Sequence, residues 1–169
     1  MLRWSDLDLD ADPAKLSVQN TLQRINGALV QGPPKSARSR RVISLSVIAR
    51  DALRRRRTAQ HRERLIAGPE WEDNGLVFTK AFGAPCEPTT VLKSWHDHLE
   101  SVGLKKGPLH NARHAAASLM LSEGVPLKVV QETLGHSTIR LTADTYGHLM
   151  PGDSDRAAEA MNRALGASS

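Results

Sequence analysis

His110 and Arg113 stand three residues apart in HNARHAAASLMLSEG, a spacing that puts both on one face of a helix. An imidazole and a guanidinium on one face can serve one phosphate. Arg offers a planar fork of donors to the non-bridging oxygens, and His gives or takes a proton near neutral pH. Taken alone, the pair is more simply a surface arginine in an ion pair beside a histidine that caps or packs. Further along, LGHSTIRLTADTY carries His136 and, ten residues later, Tyr146, the one tyrosine of the chain. Lys35 lies in the basic stretch GPPKSARSRR, from which a long amine can reach into a groove. A phosphate clamp, proton shuttles and a hydroxyl nucleophile suit attack on a phosphodiester without a metal. A free phenol ionises near about 10, so Tyr146 needs a cation or base close by to attack at neutral pH.

These residues must be held by elements that the pattern of the chain suggests. SDLDLDADPAK is an Asp-rich turn. LSVQNTLQRI alternates and is rich in β-branched residues, as a strand does; Asn26-Gly27 is a hairpin signal, and ALVQG and RVISL are two further strands. Together they make a small antiparallel sheet near the N-terminus, with the basic loop between the last two strands. SVIARDALRRRRTAQHRERLIAG is a helix, capped by Ser46 and stopped by Gly68. Its apolar residues Val47, Ile48, Leu53, Leu65 and Ile66 cover one side only in part, and the run Arg54 to Arg57 faces solvent or a phosphate backbone. GLVFT is extended, and Glu87 to Val102 is a helix with Pro88 in its first turn. From His110 onward the chain is helical. Successive helices end at Gly124 and Gly135, a third starts from a cap at Ser137, and a last one, DSDRAAEAMNRALG, puts Ala157, Ala158, Met161, Ala164 and Leu165 on one side. That side suits docking on the core or on a partner chain. The fold class expected is α+β, mainly helical.

The net charge is +5, and its distribution says more. Residues 30–66 hold eleven Lys and Arg against two acids, a net +9, and the rest of the chain carries −4. Such asymmetry points to a polyanion, nucleic acid first, although a solvated basic helix also gives it. The apolar share of 40% and the mean hydropathy of −0.38 fit a soluble globular protein. No stretch approaches the roughly 18 apolar residues of a membrane span. MLRWSDLDLD lacks the apolar core of a signal peptide, and the cytoplasm is the expected location. Cys86 is alone, which leaves no internal disulfide and no cysteine-based zinc site.

PKSARSRR, then HNARH, then LGHSTIRLTADTYGH, in this order, resembles the catalytic domain of the tyrosine recombinase (phage integrase) family. LRWSDLDLD, GLVFT and LSEGVPLKVVQETLGH share its texture. The resemblance runs over residues 1–150, which reads as a partial catalytic domain, followed by a C-terminal helix or tail at 151–169. It implies site-specific recombination or integration of double-stranded DNA through a 3′-phosphotyrosyl intermediate, with no cofactor and no metal. Tyr146 matches the nucleophile, Arg113 the second arginine of the clamp, and His110 the proton-transfer histidine. His136 matches the residue that hydrogen-bonds the scissile phosphate. Lys35 matches the hairpin lysine that protonates the leaving 5′-oxygen, and Arg38, Arg40 and Arg41 beside it would hold DNA. His114 fits an accompanying position and reads first as structural support. The resemblance also implies a homo-oligomer on DNA, with the C-terminal helix touching a neighbouring protomer.

The chain departs from the family in two places. Asn111 and Ala112 stand where most members have Asp-Leu, which alters packing rather than the clamp. The family carries its first clamp arginine on a helix upstream of the stretch matched by LRWSD, and Met1 lies immediately before that stretch. The expectation is therefore a truncated copy with an incomplete clamp, in which the loss of one charge donor costs about 10²–10³ in rate.

Other classes remain open on sequence. SLMLSEGVPLKVVQETLGHSTIRLTADTY also fits a helix-turn-helix DNA-binding protein without catalysis, with Tyr146 and His136 as contacts or core. His110 and His114 have the i,i+4 spacing of a zinc pair, but Asn111 stands where the zincin pattern needs Glu. A protein that only binds, through its basic stretch or its last helix, is the third reading.

Overall fold

A computed structural model describes residues 1–19, 21–25, 28–32, 40–136, 138–146 and 161–164. The chain forms two compact units, residues 1–109 and 110–169, each described by itself. Lys35 and Arg38 lie outside the described residues, as do Asn26-Gly27, Ser137 and most of the last expected helix. Of that helix, residues 161–164 are helical and exposed.

The first unit opens with a three-stranded antiparallel sheet, β1 (Leu7–Asp8), β2 (Lys15–Val18) and β5 (Arg41–Ser44), in the order β1-β2-β5. Leu16 pairs with Leu7 on one side and Ile43 on the other. The Asp-rich stretch is thus part strand and part turn: Asp8 Oδ1 accepts from the backbone N–H groups of Asp10 and Ala11, which bends the chain after β1. Among the described residues, β3 (Thr21–Ile25) and β4 (Ala28–Gly32) pair with each other in a second sheet. The single strand expected over residues 16–25 is therefore two strands in separate sheets, the first ending at Val18 and the second starting at Thr21. Alternation cannot reveal such a break, because both halves keep the same polar-apolar period. Ile25 pairs with Ala28, so two residues separate the strands of this hairpin, as its sequence suggests.

Helix α1 (Val47–Ala67) begins as expected, with Ser46 Oγ accepting from Ala49 N–H at 3.3 Å, and stops at Gly68. What it buries is unexpected. Val47, Ile48, Leu65 and Ile66 are exposed, and the buried residue of the helix is Gln60. Gln60 Oε1 accepts from Trp4 Nε1 at 2.6 Å, and Gln60 Nε2 donates to Leu76 O at 2.8 Å. The arginine run is partly structural too. Arg56 forks onto both carboxylate oxygens of Glu63 and donates from Nε to Val77 O at 3.0 Å. Arg54 donates to Leu9 O and Asp10, whereas Arg55 and Arg57 stay exposed.

The GLVFT stretch is extended and lies against the N-terminus: Trp4 N–H donates to Gly75 O, and Val77 N–H to Leu2 O. Leu76 and Val77 are buried there. Gly83 closes the turn that follows, at φ +85°, and a Cβ there would collide with Glu72 O. α2 (Pro88–Ser101) has its proline at the first helical position. Trp95 Nε1 on α2 donates to Gly107 O at 3.0 Å.

The second unit is α3 (His110–Ser122), α4 (Leu127–Leu134) and α5 (Ile139–Tyr146). Ala117 and Leu121 from α3 and Val130 and Leu134 from α4, each pair at i,i+4, close on Tyr146 to form its core. No helix among the described residues is long and apolar enough to cross a membrane.

Candidate active site

The C-terminal end of α4 is where the candidate residues of this unit meet. At its C-terminus Gly135 takes a left-handed conformation, φ 70° and ψ 36°. Gly135 N–H donates to Glu132 O and His136 N–H to Gln131 O at 3.1 Å, the paired bonds of a Schellman turn. Gln131, buried on α4, adds a third tie, with its Nε2 donating to His136 O at 3.1 Å. The backbone of His136 is therefore fixed from both sides of the turn, and the reason for Gly135 is conformational.

α3 approaches this turn with adjacent residues. Arg113 donates from Nη2 to Leu134 O, one of the carbonyls that a helix end leaves without an internal partner. Its Nε donates to His136 Nε2 at 3.4 Å. Arg113 and His136 are both half-buried. The next residue, His114, is hydrogen-bonded through Nδ1 to Tyr146 Oη. Its ring meets that of His110 edge to face, with centroids 4.6 Å apart, and His110 itself is exposed. Tyr146 is only 4% exposed.

Four residues picked out by sequence, His110, Arg113, His136 and Tyr146, thus belong to one packed unit. Arg113 meets His136 directly, while His110 reaches Tyr146 by way of His114. Lys35 and Arg38 fall outside the described residues. Arg40 is exposed and Arg41 half-buried, the latter paired with Val18 where β5 meets β2. Arg3 donates to Asn74 O at 2.9 Å and ties the N-terminus to the extended stretch. His114 and Gln131 are the contributors that sequence reading passed over as support or did not single out. The adjacency of His114 to Arg113 was the available signal. Among the described residues, no three His, Cys, Asp or Glu side chains converge as a metal ion would need.

A helical unit that gathers arginine, histidines and a buried tyrosine, in one chain with a unit of small antiparallel sheets and helices, is the pattern of a tyrosine recombinase catalytic domain. The chain belongs to the phage integrase family, which it matches over residues 1–152. It is 34% identical to an integrase of Saccharopolyspora erythraea over 83% of its own length and 32% of that protein. It is 30% identical to a XerC-like tyrosine recombinase of Caldanaerobacter subterraneus over 95% of its own length and 44% of that protein. The chain therefore spans less than half the length of these relatives. Among solved structures, the Tn1549 transposon integrase in complex with circular intermediate DNA superimposes with a TM-score of 0.66 at 21% identity, covering 95% of this chain and 53% of that one. The XerA recombinase gives 0.65 at 20% identity, covering 97% and 50%. The folds agree.

Proposed function

We propose that this chain belongs to the machinery of site-specific DNA recombination or integration and that its own part is strand cleavage and rejoining by transesterification. In this reading Tyr146 attacks a phosphodiester and forms a 3′-phosphotyrosyl link. Arg113 and His136 hold the non-bridging oxygens of the phosphate, and His110 moves a proton. Lys35 protonates the leaving 5′-oxygen, and Arg38, Arg40 and Arg41 grip the DNA backbone. Residues 1–150 are the catalytic portion and 151–169 a tail that docks on a neighbouring protomer in an oligomer on DNA. The protein works where the DNA is, in the cytoplasm.

One observation carries this reading: α3 sends Arg113 to His136 and the next residue, His114, to Tyr146. Donors for a phosphate and the partner of the phenol are thereby fixed by adjacent residues of one helix, the positioning on which phosphoryl transfer relies. Family membership supports it independently. Because Tyr146 is 4% exposed, α5 has to shift outward before the phenol meets a phosphate. The alternative of a helix-turn-helix binder has the succession of α3, a short turn and α4 in its favour. However, α4 shows solvent a Lys128–Glu132 pair at 3.1 Å, a neutral face poorly suited to a phosphate backbone.

The test is to mix the protein with a nicked duplex in which cleavage releases a short fragment and cannot be reversed. A covalent protein–DNA product that disappears in Tyr146→Phe supports the reading. Binding without a covalent product, equal in the two proteins, favours the binder.

A further inference from the structure

We propose that a pocket between α1 and the extended stretch of residues 71–79 binds a nucleoside monophosphate, its base against two indoles and its phosphate on Arg57 and His61. The pocket lies within residues 1–109 and holds about 250 Å³, below the roughly 300–1,000 Å³ of sites for drug-sized ligands. That space takes one ring system. None of the residues assigned to cleavage lines it, so the inference goes beyond the recombinase reading and does not depend on it.

The anion end follows from how the cations of α1 are used. Arg50, Arg54, Arg57, His61 and Arg64 recur at steps of four and three residues, which puts them in one stripe along the helix. Three of them are occupied within the fold. Arg50 pairs with Asp51 at 3.0 Å, Arg54 donates to Leu9 O and Asp10, and Arg64 pairs with Asp73 at 2.8 Å. Arg57 and His61 line the pocket one turn apart, are exposed, and have no hydrogen-bond or ion-pair partner among the described residues. Exposed cations are common on a helix, but these two stand together beside a cavity. A guanidinium fork with an imidazole next to it suits the oxygens of one phosphate.

The ring end is preformed. Trp4 donates from Nε1 to Gln60 Oε1 at 2.6 Å, which fixes one edge of its indole. Trp71 packs on Gly83, where an added Cβ would come within 3.0 Å of its Cε2. Buried Leu76 adds apolar lining. Indole faces of this kind stack on the flat face of a base.

The remaining lining separates a single nucleotide from a DNA strand. Asp73 belongs to the Arg64 end of the pocket, seven residues and about 10 Å along α1 from Arg57. Glu72 joins it there as a second carboxylate. Carboxylates accept from N–H groups, which the amino edge of adenine or cytosine supplies. Arg57 and Arg64 against Glu72 and Asp73 leave the lining with no formal net charge, so a run of phosphates gains little there.

Calorimetric titration of the whole chain, read alongside tryptophan fluorescence, tests the site with AMP, adenosine, inorganic phosphate and a short DNA duplex. Two of the three tryptophans line the pocket, and Trp95 does not. AMP should bind saturably, shift the fluorescence, and bind at least about ten-fold more tightly than adenosine or phosphate alone. Arg57→Gln combined with His61→Gln removes the two unpartnered groups from exposed positions, so urea melts should not change. AMP should then bind no more tightly than adenosine. Absence of heat and of a fluorescence change with AMP at millimolar concentration would overturn the proposal. So would equal binding of AMP and adenosine by the wild type, or an affinity for AMP that the double variant leaves unchanged. Displacement of AMP by the duplex at lower concentration would make this face a DNA contact, and would overturn it too.

Discussion

Arg113 Nε lies 3.4 Å from His136 Nε2 and donates to it. The imidazole nitrogen that faces the arginine is therefore an acceptor, which puts the ring proton of neutral His136 on Nδ1. In the proposed reaction a phosphate would take donors from both residues. Arrival of that phosphate would then break this contact, free the guanidinium fork and put a proton on His136 Nε2. The present arrangement holds the two proposed phosphate ligands against each other, on a turn held by Gly135 and Gln131.

Arg113→Lys should cost more than its retained charge suggests. An ammonium cannot reach Leu134 O and His136 together, nor grip two phosphate oxygens with a planar fork. Single-turnover trapping should fall by about 10²–10³. In the free variant, ¹⁵N NMR of His136 should show a mixture of tautomers where the wild type shows Nδ1–H.

Burial of the phenol makes its own test. Tetranitromethane modifies exposed tyrosines, and Tyr146 is the only one present. At 4% exposure it should nitrate slowly in the free protein. Adding duplex DNA that carries a recognised site should speed nitration several-fold, because α5 has to open for attack.

The boundaries of α1 and α2 and the joint presence of His110, Arg113, His136 and Tyr146 in one helical unit were legible in the sequence. Caps, prolines and glycines act locally, and motif spacing survives folding. What the helices bury was not legible in the same way. Arg56 looks like one of four solvent-facing arginines, yet it holds Glu63 and Val77 O. Gln60 looks polar and exposed, yet it joins Trp4 to Leu76. The bond from His114 to Tyr146 spans 32 residues and arises from packing of α3 on α5, which no local pattern encodes.

Arg56 also sets a pH dependence. Its hydrogen bond and charge hold the Glu63 carboxyl below its ordinary value of 4.5, against a smaller opposing effect of burial. A lowered folded pKa means stability that is fully present above 4.5 and is lost as pH falls through the lower folded value. Glu63→Gln should therefore destabilise residues 1–109 at pH 7 by about 0.5–1 kcal/mol, the range of a solvent-screened pair. The difference should shrink toward zero in acid. All three tryptophans lie within residues 1–109, so urea melts followed by tryptophan fluorescence report this unit selectively.

Gln60→Leu removes the acceptor of Trp4 Nε1 and the donor to Leu76 O, and leaves two groups without those partners at a buried position. The expected cost is about 1–3 kcal/mol in the same melts. Val130→Ala in the other unit should cost a similar amount or more through a cavity. The tryptophan signal should not register that loss directly, whereas the tyrosine nitration rate should rise.

The most direct measurement concerns where DNA becomes attached. Trypsin cuts after Arg140 and Arg156, so Tyr146 falls in the peptide of residues 141–156. The covalent product from a nicked duplex is digested with nuclease and trypsin, and this peptide is weighed and fragmented. The expected result is a nucleotide remnant on Tyr146, linked through the 3′-phosphate of the cleaved strand. An unmodified 141–156 peptide from a cleaved substrate, or DNA attached to any other residue, would contradict the assignment of Tyr146 as nucleophile.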